Sequence, residues 1–248
     1  MKKLFGLNFY DKDIDELKKN LEEHLLKQNN ETECLCIFTP NVDHIISVYK
    51  RKEVFEAYKE AGLLIADGWP IEFVSKLKGE RVYQITGVDL MDRLLEISNK
   101  HSLNIYCLGS EDETLDLMKE NLTKKFKGIK NIGLHNGYFK EEEDRRILNE
   151  IKENKTDILF VGMGHPKQEL WLHRYKKELS SSIAVAVGGA FKIYSNEVKR
   201  APVLVRKLKL EWFWRFLNEP RRLFKRYFIR YLDFIKITLL EIKNKKII

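Results

Sequence analysis

The chain has 248 residues, 44% of them hydrophobic, enough to bury a sizeable core in one domain with an appendage. Three cysteines, Cys34, Cys36 and Cys107, are too few for a disulfide framework; they sit in apolar runs and read as reduced core thiols of a cytoplasmic protein. The formal charge of +8 resides at the end of the chain, where residues 199–248 carry 15 Lys/Arg against 4 Asp/Glu while residues 1–198 carry 30 against 33.

Residues 1–8 open with two lysines, but the apolar stretch behind them ends at once, so they do not read as a secretion signal. No apolar run approaches the roughly 20 residues of a membrane-spanning helix. Short, continuously apolar runs at 34–38, 63–66, 104–108, 157–161 and 183–187 predict strands buried on both faces of a parallel sheet. Helical periodicity separates them, over about Ile14 to Gln28, Val42 to Ala61, Val88 to Lys100, Glu111 to Phe126, Glu141 to Glu153 and Pro166 to Leu179. That alternation predicts a doubly wound, Rossmann-like α/β domain over 1–198, with a mostly parallel sheet, helices on both faces and ligands gathered at the strand ends.

The composition shift after Val198 marks the one boundary, and 199–248 is expected to be a basic, amphipathic, helical appendage. Phe224, Phe228, Tyr231, Ile235 and Leu239 recur three or four apart, bordered by Lys225, Arg226, Arg230 and Lys236. An acidic partner follows: an anionic membrane surface, phosphorylated substrates or nucleic acid. A nucleic-acid-binding α/β protein that uses this tail is the alternative reading, and it leaves the strand-end residues without a role.

Three strand ends carry chemistry. Phe38-Thr39-Pro40-Asn41 and Ala66-Asp67-Gly68 leave two strands on the same rim, so Thr39, Asn41 and Asp67 are expected to converge. Asn41 and Asp67 read equally as helix caps or, for Asp67, as a base accepting a proton from a sugar hydroxyl. Gly162-Met163-Gly164-His165-Pro166-Lys167-Gln168-Glu169 places glycines before a helix start, whose free N–H groups suit a diphosphate, with Lys167 adding charge. Neither the dinucleotide fingerprint nor a P-loop is complete there. Gly188 and Gly189 repeat the arrangement after the last apolar strand, and Arg81 and Arg200 are candidate anion contacts. Asp11-Lys12-Asp13 reads as a helix start rather than a metal motif. His165 and His173 lack a third ligand at suitable spacing, so no metal and no cofactor is expected.

Taken in order, Thr39-Pro40-Asn41, Ala66-Asp67-Gly68, Arg81 with Thr86-Gly87-Val88-Asp89, Gly162 through Trp171, Gly188-Gly189-Ala190-Phe191, Arg200-Ala201-Pro202 and Glu211-Trp212 through Arg222 resemble the WecG/TagA/CpsF family of bacterial glycosyltransferases. The resemblance implies a metal-independent, inverting transfer of N-acetylmannosamine or a related sugar from UDP to the C4 hydroxyl of N-acetylglucosamine on undecaprenyl diphosphate, in cell-wall polymer synthesis such as that of teichoic acid. It implies Asp67 as base and Thr39, Asn41, Arg81 and Gln168 in the pocket. Gly162, Gly164, Lys167, Glu169, Gly188, Gly189 and Arg200 belong to the matching substrate-binding segments. Arg215, Arg222 and Lys225 match an appendage that closes over the site and meets diphosphate. A peripheral place on the inner face of the cell membrane follows, and apolar helix faces allow protomers to pair in a homo-oligomer. Where the family commonly has an aspartate and then a glycine, this chain has Lys192 and Ser195-Asn196, which leaves the donor sugar open.

Overall fold

A computed structural model describes residues 1–27, 33–218, 220–224 and 230–243, apart from the side chains at 207, 222 and 223. Eight strands form one sheet: β1 (Lys2–Leu4), β2 (Leu7–Phe9), β3 (Leu35–Phe38), β4 (Leu63–Leu64), β5 (Asn104–Gly109), β6 (Asn131–His135), β7 (Ile158–Gly162) and β8 (Ile183–Ala186). Their order is β1-β2-β4-β3-β8-β7-β5-β6. Among the described residues only the β1–β2 pair is antiparallel, a hairpin turned at Phe5 and Gly6, whose φ values of 55° and 76° suit a tight two-residue turn.

The five strands expected from continuous apolar runs are all present, and β5, β7 and β8 bury nearly every residue. The pleat divides their side chains between two layers. Phe38, Leu159, Val161, Ala184 and Ala186 face one core, packed by helices Val42–Lys50, Lys52–Lys59, Asp144–Glu153 and Lys167–Tyr175. Ile37, Ile158, Phe160, Ile183 and Val185 face the other, packed by helices Ile14–Lys27, Gly87–His101 and Asp112–Lys125. The periodic stretch expected as one helix from Val42 to Ala61 is two, because Arg51 takes an extended conformation (φ −134°, ψ 113°) between them.

Residues 199–248 hold the short helices Val203–Lys207, Glu211–Asn218 and Pro220–Phe224, then Tyr231–Ile242. The last packs on the first core: Phe234 and Ile237 are buried in it, and the Phe234 ring lies 5.8 Å from that of Phe5. Within the expected apolar stripe, Phe224, Ile235 and Leu239 are exposed, while Phe228 lies outside the described residues. Leu232, Ile235, Leu239 and Ile242 form an exposed row at helical spacing. No described helix is long and apolar enough to cross a membrane.

Candidate active site

The carboxyl ends of β3, β4, β7 and β8 open on one rim, where the chain leaves each strand and parallel α/β sheets bind their ligands. Two adjoining cavities lie there. The larger, about 400 Å³, includes Thr39, His44, Gly164, Gln168, Gly188 and Gly189 in its wall. The smaller, about 90 Å³, includes Trp69, Gln84, Lys209, Glu211, Trp212 and Tyr231. Asn41, Asp43, Asp67, Thr86 and Arg215 line both, so Asp67 stands where the two meet.

Local sequence explains why Asp67 is held there. Its backbone N–H donates to the carbonyl of Pro40 at 2.9 Å, joining the ends of β3 and β4, and Ile85 N–H donates to Ala66 O at 2.9 Å. Gly68 then turns with φ 114°, a conformation that L side chains rarely adopt, and Pro70 starts helix Trp69–Leu77. On the other side Thr86 caps helix Gly87–His101: its Oγ1 accepts from Asp89 N–H at 3.1 Å, and the Asp89 carboxylate accepts from Thr86 N–H. The Gly87 N–H at this helix start favours the charged form of Asp67.

Asp67 keeps some contact with solvent but is packed round by protein. Burial pushes its carboxyl up to about 6; Arg215 and the Gly87 N–H oppose the rise, and Glu211 and Asp89 add to it. Arg215 is held by Glu211, Nη2 to Oε1 at 3.1 Å. A carboxylate poised near neutrality, beside a cation and open to two cavities, has the properties of a general base.

Asn41 is both a cap and a wall residue: Oδ1 accepts from Asp43 N–H at 3.0 Å while the side chain borders both cavities. Thr39 donates from Oγ1 to Ala186 O at 3.1 Å, joining β3 to β8 at the cavity floor. Gln168, almost fully buried, clamps the two glycine turns, since its Oε1 accepts from Gly164 N–H and Gly188 N–H, each at 3.2 Å. This corrects the expectation that those amides are open to an anion, because Gln168 already satisfies them. Gly162 lies beneath the cavity: a Cβ there would sit 2.8 Å from the Phe191 ring and 3.0 Å from Gly188 O, so the close approach of the turns requires glycine.

Glu169 is fully buried and joins a network instead of lining a cavity. Its Oε1 accepts from Gln168 Nε2 at 2.8 Å, and its Oε2 lies 3.1 Å from His165 Nδ1. His165 stacks on His44 at 4.1 Å, and Tyr58 Oη meets His44 Nδ1 at 3.0 Å. Burial raises the pKa of Glu169, but the His165 hydrogen bond and the fields of His44 and His165 outweigh it and hold the carboxyl below its usual value. One ligand-type atom from each of His44, His165 and Glu169 lies within 4.8 Å of the others, a metal-like grouping that spacing did not disclose because His44 arrives from a separate element. The Nδ1 atoms of both histidines are engaged with Tyr58 and Glu169.

Three expected contacts lie away from the cavities. Arg81 packs its guanidinium over the Tyr83 ring at 4.5 Å. Lys167 donates to Gly137 O at 2.8 Å and covers the Phe139 ring. Arg200 is committed to Asp89 and Asp92, the latter at 2.8 Å. The Arg222 side chain and Lys225 lie outside the described residues. Trp69, Gln84, His44 and Glu211 were not expected as site residues, although Trp69 follows Asp67 by two positions in a strand-end turn and Glu211 opens a segment that resembles the family.

The model of the glycosyl transferase WecG/TagA/CpsF family matches residues 2–247. An N-acetylglucosaminyldiphosphoundecaprenol N-acetyl-beta-D-mannosaminyltransferase of Staphylococcus aureus (strain MW2) is 29% identical over 221 residues, covering 89% of this chain and 85% of that protein. The protein of the same name from Staphylococcus aureus (strain MRSA252) is 28% identical over the same length. With its match running almost end to end and the Asp67 carboxylate set between two rim cavities, this chain belongs to the WecG/TagA/CpsF family and is a glycosyltransferase.

Proposed function

We propose that this protein transfers N-acetylmannosamine, or a closely related sugar, from UDP to the C4 hydroxyl of N-acetylglucosamine linked to undecaprenyl diphosphate. The observation that carries the reading is the position of Asp67, a carboxyl raised to about 6 at the junction of two cavities and facing Arg215. The names of the Staphylococcus aureus relatives supply the sugars and the lipid.

In this scheme the larger cavity takes the nucleotide diphosphate and its sugar. Asp67 accepts the proton of the acceptor hydroxyl as its oxygen bonds to the anomeric carbon of the donor. The bond from that carbon to the diphosphate breaks, its electron pair leaves with UDP, and the anomeric configuration inverts. Arg215 meets the departing charge, joined by Arg222 and Lys225 when the tail closes. These cations serve where a metal ion would in other transferases, so a chelator leaves the rate unchanged; inhibition by chelator, reversed by Mg²⁺, contradicts that part of the scheme.

The exposed row Leu232, Ile235, Leu239 and Ile242, in a tail rich in lysine and arginine, supports docking on an anionic membrane, where the lipid-linked acceptor resides. The service to teichoic acid or another surface polymer follows from the acceptor. A screen of UDP-sugars against a short-chain prenyl diphosphate bearing N-acetylglucosamine, read by product mass, tests the reaction. The expected product gains one N-acetylhexosamine; no product with any UDP-sugar overturns the proposal.

A further inference from the structure

Two side chains in the wall of the smaller cavity each carry a buried polar atom without a hydrogen-bond partner among the described residues, Nε1 of Trp69 and Oε1 of Gln84. A buried indole N–H and a buried amide each cost about 1–3 kcal/mol when unsatisfied, so two around one small cavity call for a shared explanation. One is a donor and the other, with its amide, can accept or donate. A secondary amide presents the complementary pair, a C=O and an N–H. The acetamido group of an N-acetylated sugar is such an amide.

Size and position favour the acceptor sugar over the donor. The cavity, about 90 Å³, has room for about three waters, on the scale of a sugar's acetamido substituent and too little for a nucleotide diphosphate. Aromatic surfaces from Trp69 and Trp212 suit the apolar face of a pyranose. Much of the wall, Lys209, Glu211, Trp212, Arg215 and Tyr231, comes from the appendage that carries the exposed apolar row. A lipid-borne sugar arrives from that side, and Asp67 waits at the inner end.

We propose that Trp69 and Gln84 form the acceptor subsite and read the acetamido group of its sugar, Trp69 donating to the carbonyl and Gln84 accepting from the amide N–H. This rests on the transferase reading above and adds to it the residues that set acceptor specificity. The wild-type enzyme therefore prefers a prenyl diphosphate bearing N-acetylglucosamine over its glucose counterpart, because the glucose compound leaves both atoms unpaired.

The experiment compares kcat/KM for those two acceptors in wild type, Trp69→Phe and Gln84→Met, with the KM for donor measured alongside. The expected result is a drop of about tenfold in the acceptor preference for each variant, through loss of rate with the N-acetylglucosamine compound, while the donor KM stays put. Simple loss of structure lowers both acceptors together and leaves their ratio intact. An unchanged ratio in both variants, or a wild type that accepts the two compounds equally, overturns the subsite; the latter needs no variant to fold. If wild type turns over neither compound with any UDP-sugar, the transferase reading itself has failed.

Discussion

The guanidinium of Arg200 bonds the carboxylate of Asp89, the residue that closes the capping box of helix Gly87–His101, whose first N–H favours the charged form of Asp67. Through this bond the segment that begins near residue 199 is tied to the helix that starts beside Asp67. Arg206, in the next helix, lies 4.0 Å from the same carboxylate.

Arg200 therefore acts on structure. Arg200→Met removes the guanidinium that bridges Asp89 and Asp92 in a part-buried site and is expected to cost about 1–3 kcal/mol, after allowance for their partial contact with solvent. Thermal unfolding measures that loss. The KM for the UDP-sugar stays unchanged, and a large rise in it would return Arg200 to the role of anion contact.

Gln168→Leu removes the acceptor shared by Gly164 and Gly188 and leaves two amides unpaired at the floor of the larger cavity. The expected cost is about 2–4 kcal/mol, with a higher KM for the donor as the two turns part. A variant as stable as wild type, with unaltered donor KM, contradicts the clamp.

Arg215 opposes the upward shift of Asp67. With Arg215→Ala the carboxyl rises further, so the acidic limb of the kcat/KM profile, expected near pH 6 in wild type, moves to higher pH. A limb that moves down or stays fixed contradicts the coupling.

The raised carboxyl also predicts a stability cost. An acid whose folded pKa exceeds its unfolded value favours the neutral form in the native state. The penalty is absent below about pH 4, grows as pH rises, and is complete above about 6. Asp67→Asn removes roughly 1–3 kcal/mol of it, allowing for solvent contact, and raises the melting temperature at pH 7.5 by about 2–4 °C per kcal/mol. Calorimetry at pH 4 and pH 7.5 checks that the gain is confined to the higher pH.

The exposed row on the last helix gives a membrane test that spares the fold. Removing the tail strips Phe234 and Ile237 from the core, whereas Leu232→Gln, Ile235→Gln and Leu239→Gln together alter the surface alone. The triple variant is expected to bind anionic vesicles roughly a hundredfold more weakly in sedimentation. Equal sedimentation of both proteins contradicts docking through this face.

The central strands were legible because burial on both faces demands continuous apolar runs, as in β5, β7 and β8. The edges were not. Three-residue strands in the β1–β2 hairpin carry too little pattern, and β6, Asn131–His135, is mostly half-exposed with an interrupted apolar signal. The break at Arg51 has no glycine or proline to mark it. In the site, residues at strand ends declared themselves, since topology alone brings Thr39, Asn41, Asp67 and Gly188 to one rim. Gln84 sits in a loop, where it reads as an ordinary surface residue, and Glu211, though in a family-like segment, sits at a helix start far along the chain; only the closed geometry brings them to the cavity of Asp67. Arg81, Lys167 and Arg200 show the converse, because a cation in a matching segment does not reveal which neighbour it will satisfy.

The most direct measurement is the rate of UDP release by Asp67→Asn, with donor and acceptor both present, beside the wild type. The expected result is a protein that unfolds cooperatively at or above the wild-type temperature yet turns over about 10²–10⁴-fold more slowly. Turnover near the wild-type rate would contradict the assignment of Asp67 as the base and with it the proposed chemistry.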